Sequence, residues 1–106
     1  MPQKKFPEWY LAVKKKHKKS IDAIERLGKV VREEGPLDEK TAHLVQLAAA
    51  AAIRSEGAVH SHARRAIEAG ATPDEVYHAL LLLTSTIGFP IVSAALSWVE
   101  GTIDKK

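Results

Sequence analysis

Ser55, Ala58 and His62 are spaced so that a helix carries all three on one face, and a polar pocket can form around that stripe. His62 is its titratable member, because imidazole changes charge near neutral pH. His43, His60 and His78 add further imidazoles and raise the question of a metal. Zinc, nickel, copper and iron accept such ligands, but a site needs three or more. The spacing argues against one. His60 and His62 are two residues apart and point to different sides of a helix, and His60 pairs better with Glu56, four residues earlier. His43 or His78 would have to arrive by folding or from another subunit. No metal site is therefore assigned, and His17, inside a lysine run, reads as solvated. The chain has no Cys, which excludes disulfides, thiolate metal sites and thiol redox catalysis.

The elements that must hold these residues are helical. At 106 residues, 45% of them hydrophobic, the chain fits one small globular domain and not a disordered one. Tyr10, Val13, His17, Ile21, Ile24, Leu27 and Val31 form a stripe that predicts a first helix from Pro7 or Glu8 to about Glu34. The stripe turns polar around His17 and Ser20, where a bend or break is expected. Gly35-Pro36 stops the helix. Asp38 is the N-cap of a second helix, rich in alanine from Ala48 to Ala52. Gly57 marks its junction with a third helix, which ends at Gly70. Thr72-Pro73-Asp74-Glu75 is a cap, a proline at the first helical position and a reciprocal glutamate, so a fourth helix starts there and runs to about Ile87. Gly88-Phe89-Pro90 turns the chain into a fifth helix ending near Glu100. No strand-like alternation and no solenoid repeat appear. The fold class is all-α.

The net charge of +3 is uneven, concentrated in Lys14-Lys15-Lys16-His17-Lys18-Lys19. That run reads as a solvated helix face. A nucleic-acid site would want interleaved aromatics, and Trp9 and Tyr10 precede the run, so no nucleic-acid partner is expected. From Ala79 to Val99 no residue is charged, a length that would span a bilayer. Gly88-Phe89-Pro90 breaks the stretch, and three Ser and two Thr dilute it, so two buried helices explain it better than a membrane segment. Helices apolar on more than one face exceed what so small a chain can hide by itself, which predicts homo-oligomers. The start of the chain does not read as a secretory signal, and a cytoplasmic location is expected.

Leu37-Asp38-Glu39-Lys40-Thr41, the alanine-rich helix, His62 with Arg64-Arg65-Ala66, Glu68 through Glu75, and Gly88-Phe89-Pro90 occur in a characteristic order. Over 37–98 the chain resembles the carboxymuconolactone decarboxylase and alkylhydroperoxidase D-like superfamily. Residues 1–34 form a helical segment outside the resemblance. The resemblance implies a five-helix bundle in a homo-oligomeric ring, a homotrimer or homohexamer, with a site near subunit contacts. The peroxidase branch carries a Glu, eleven residues, then Cys-x-x-Cys-x-x-x-His. On this chain those positions hold His43, Ser55, Ala58 and His62. Without sulfur, thiol peroxidase activity is not expected, and a peroxiredoxin label would be an inherited one. The decarboxylase branch needs no thiol, metal or organic cofactor. It implies proton transfer on a small carboxylate, by decarboxylation or isomerisation, with His62 and His43 as the catalytic pair. Ser55, Ala58, Arg64 and Arg65 are then the substrate-binding candidates, with Arg54 a further cation. The contact between His43 and His62, and the sharing of one proton between them, follow from the family's Glu position. The competing reading is a non-catalytic oligomeric small-ligand binder or scaffold.

Overall fold

The computed structural model describes residues 6–103. They form α1 (Glu8–Lys16), α2 (Lys18–Glu33), α3 (Glu39–Ala52), α4 (Glu56–Glu68), α5 (Pro73–Leu81), α6 (Thr84–Ile87) and α7 (Phe89–Ile103). The all-α class holds for these residues, with seven helices in place of the expected five. The chain divides into two compact units, Met1–Pro36 and Leu37–Lys106.

In the first unit the expected long helix is broken at His17, whose backbone leaves helical geometry at φ −126°, ψ 54°. The break falls within the lysine run. A continuous helix would stack Lys14 on Lys18 and Lys15 on Lys19, like charges one turn apart. The reversal lets the Tyr10 hydroxyl donate to Glu25 at 2.6 Å and Lys14 reach the same carboxylate at 3.0 Å. In one straight helix Tyr10 and Glu25 would be about 22 Å apart. The Tyr10 hydrogen bond, and after it the Lys14 ammonium, hold the Glu25 carboxyl below its ordinary range. No residue of α1 or α2 is buried, and Ile24, Leu27 and Val31 line an exposed apolar face of α2.

The second unit is built on α3 and α4. Asp38 caps α3 by accepting the Thr41 N–H at 2.8 Å. Leu47, Ala50 and Ala51 of α3 are buried, as are Val59, Ala63 and Ala66 of α4. Small side chains on both faces let the two backbones approach closely, because helix separation follows side-chain size at the contact. Val76 and Leu80 of α5 and Ala95 and Val99 of α7 complete the same core. Thr72 and Glu75 form the expected capping box, each side chain satisfying the other's backbone N–H at 3.0 Å. Glu75 also receives Lys40 at 3.3 Å, which ties α5 to α3.

The predicted fourth helix is interrupted. It stops at Leu81, and the chain tightens through a Leu83 N–H to Leu80 carbonyl bond before α6. Thr84, Ser85 and Thr86 follow, residues whose hydroxyls compete with helical bonding. Gly88, at φ 95°, then reverses the chain into α7, which runs from Phe89 to Ile103 instead of ending near Glu100. The uncharged stretch is thus split among three helices, and no helix among the described residues is long and apolar enough to cross a membrane.

Candidate functional site

Two helices bring the site together. α3 carries Glu39 in its first turn and His43 one turn later. α4 carries His62, Arg65 and Glu68. Their packing sets His43 Nδ1 3.1 Å from His62 Nδ1, with the rings tilted by 37°. His43 is only 1% exposed, the sole buried polar side chain among the described residues. A contact between two Nδ1 atoms needs one N–H and one lone pair. Protonating both rings would set two donors and two charges face to face. One ring therefore donates from Nδ1 and the other accepts there, an arrangement that two neutral imidazoles of opposite tautomer supply. His43 Nε2 lies 3.7 Å from the Glu39 carboxylate, beyond hydrogen-bond range.

His43 forms one wall of an open cavity of ≈ 160 Å³, whose other lining residues are Glu39, Arg65, Glu68 and Ala69. Arg65 donates to the Ser61 hydroxyl at 3.2 Å. Arg64, next in sequence, has its Nε 4.0 Å from Glu68 and does not line the cavity. Helical spacing separates the two arginines by about 100°, and only Arg65 lines the cavity.

Ser55 and Ala58 are placed differently from the expected stripe. The chain turns at Arg54, in the left-handed region at φ 60°, and Ser55 is extended at the N-cap position. Helical spacing therefore does not extend back to Ser55, and its side chain makes no capping bond. Ala58 is half-buried and packs on the core. Neither lines the cavity. His62 meets the cavity wall through His43 and is not itself one of its lining residues.

His60 hydrogen-bonds Thr102 of α7 and lies 3.3 Å from Glu56, so it joins α4 to α7 away from the histidine pair. His78 is exposed on α5. Among the described residues no three His, Asp or Glu side chains come together as a metal site. Glu39 and Glu68 were missed from sequence. The available signal was their helical offset, Glu39 four residues before His43 and Glu68 four after Arg64.

A comparison with family profiles places this architecture. The profile described as the carboxymuconolactone decarboxylase family matches residues 19–101, which is 83 of the 106. The match starts inside α2, upstream of the 37–98 stretch that carries the resemblance. No protein of curated function and no solved structure matches the chain. The histidine pair and its cavity lie wholly within the matched region, and on that match the chain belongs to the carboxymuconolactone decarboxylase family.

Proposed function

We propose that the protein transfers a proton to or from a small carboxylate, without cofactor, in a decarboxylation or isomerisation. The observation that carries this reading is the His43–His62 contact at 3.1 Å beside a cavity that also holds Arg65. Arg65 anchors the substrate carboxylate through its planar donor fork. His43, on the cavity wall, exchanges the proton with the reacting atom. His62 holds the other side of the His43 ring and fixes which nitrogen carries hydrogen. Glu39 offsets the charge while His43 is protonated. The centre of the chemistry moves from His62, where sequence alone put it, to the pair, with His43 facing the substrate.

A second reading has its own support. Glu39 and Glu68 are 71% and 58% exposed at their side chains, so one chain by itself does not exclude water from the cavity. A neighbouring subunit closing it restores the enzymatic reading. Without that closure the protein is a non-catalytic oligomeric binder of small carboxylates. Self-association is part of both. Ile53, Leu82 and Phe89 are 76%, 61% and 54% exposed, apolar area that assembly into a homotrimer or homohexamer would cover. The absence of Cys fits a cytoplasmic setting.

The test is hydrogen–deuterium exchange at substrate carbon, with release of CO2 followed in parallel, across a panel of small oxo- and lactone-carboxylates. His43→Gln keeps a hydrogen-bonding group beside His62 but cannot exchange a proton near neutral pH. It should lower turnover by about 100-fold or more while leaving assembly intact, whereas His62→Gln, which can still hold the His43 ring, should lower it far less. Turnover unchanged in His43→Gln would remove the pair from the chemistry.

A further inference from the structure

We infer that the ligand of this cavity carries an ammonium group as well as a carboxylate, so that the substrate class is a small amino carboxylate. The inference rests on the cavity reading above and narrows it. The lining holds one guanidinium, Arg65, against two carboxylates, Glu39 and Glu68, with the buried His43 between them in character. Adding Arg64, which faces Glu68 at 4.0 Å from outside the lining, brings the count only to neutrality. Among the described residues, those lining or facing the cavity leave no surplus positive charge for a second substrate carboxylate. Such a group would stand beside Glu39 or Glu68 and be repelled.

Helix direction points the same way. Glu68 and Ala69 sit at the C-terminal end of α4, where the helix presents its negative pole. The carbonyls of Arg65, Ala66 and Ile67 are already taken by the closing turn, which leaves the Glu68 carboxylate as the side chain to meet a cation there. A ligand carboxylate on Arg65 and an ammonium on Glu68 or Glu39 satisfies both charge types within one cavity. The volume of ≈ 160 Å³, about that of five water molecules, accommodates a small ligand bearing both groups.

Three probes differing at one end separate the possibilities: propanoate, 3-aminopropanoate and succinate. Their binding is read by NMR titration of the full-length protein, following the His43 and His62 ring signals. 3-Aminopropanoate should bind about five- to tenfold more tightly than propanoate, the scale of one or two half-exposed ion pairs, and succinate should bind most weakly. Glu39→Gln combined with Glu68→Gln should abolish the preference for the amine and bring succinate level with propanoate or above it. Arg65→Met should weaken all three probes. Succinate binding as tightly as 3-aminopropanoate to the unaltered protein overturns the ammonium subsite and leaves the carboxylate site standing. An amine preference that survives the double substitution overturns it as well. No shift of either histidine with any probe overturns the carboxylate site along with it.

Discussion

Arg54 holds a backbone conformation that suits glycine, and replacing it tests how the turn between α3 and α4 is built. Two helices of the second unit end in the same motif. After α3, the Ser55 N–H bonds the Ala50 carbonyl at 2.9 Å and the Arg54 N–H bonds Ala51 at 3.0 Å. After α4, Ala71 bonds Ala66 at 2.9 Å and Gly70 bonds Ile67 at 3.0 Å. The residue in the left-handed position is Gly70 in one case, at φ 108°, and Arg54 in the other, at φ 60°. A side chain there costs about 1–2 kcal/mol. Glycine relieves it but gives back roughly 0.5–1 kcal/mol through the freer unfolded chain. Arg54→Gly should therefore stabilise by about 0.5–1 kcal/mol, and Gly70→Ala should destabilise by about 1 kcal/mol. A Cβ at Gly70 meets nothing within 4 Å, so that loss is conformational and not a clash. Arg54→Ala removes the guanidinium and keeps the strained backbone, so its midpoint should barely move. Reversible urea unfolding at matched protomer concentration reads all three, and equal slopes confirm that only stability changed. Arg54→Gly should also raise Tm by roughly 2–8 °C for a unit of this size. A lower midpoint for Arg54→Gly refutes the reasoning. So does an equal gain for Arg54→Ala, which would trace the effect to charge.

Thr72→Ala should cost about 1 kcal/mol, because it removes the acceptor for the Glu75 N–H, and an unchanged unfolding midpoint would deny the cap its role. Glu25 is held below its ordinary range by Tyr10 and then Lys14, so it stabilises the α1–α2 hairpin above pH 4.5. That contribution disappears as pH falls through its lowered folded value. Amide protection in α1, relative to the intrinsic exchange rate at each pH, should therefore fall below pH 4.5, and Tyr10→Phe should shrink the acid dependence. Sedimentation at low concentration should give a trimer or larger, and Leu82→Asp should shift it toward the 11.6 kDa protomer. A protomer-sized species from the unaltered chain would end the assembly proposal.

The helix boundaries legible in the sequence are those encoded within three or four residues. Asp38 caps Thr41, Thr72 and Glu75 cap each other, and Gly70 and Gly88 take positive φ where helices end. Each is a local exchange of hydrogen bonds or a local steric allowance, so it reads the same before and after folding. The break at His17 was legible only as a weakness in the stripe. Its outcome as a reversal depends on Glu25 meeting Tyr10 and Lys14 from across the hairpin. The interruption after Leu81 escaped notice because its residues carry no glycine or proline signal.

The sequence by itself determined the helical class, the lack of cysteine and the family, since composition and an ordered set of short motifs survive without coordinates. It also nominated His43 and His62. Tertiary structure decided which groups share a space. Arg65 faces the cavity and Arg64 does not. Glu39 and Glu68 join the lining, and Ser55 stands outside the helical face assigned to it. Those outcomes turn on the rotation of α4 against α3 and on one left-handed residue between them. Packing of Leu47, Ala50 and Ala51 against Val59, Ala63 and Ala66 sets that rotation, and no local window of the chain contains both sides of the contact.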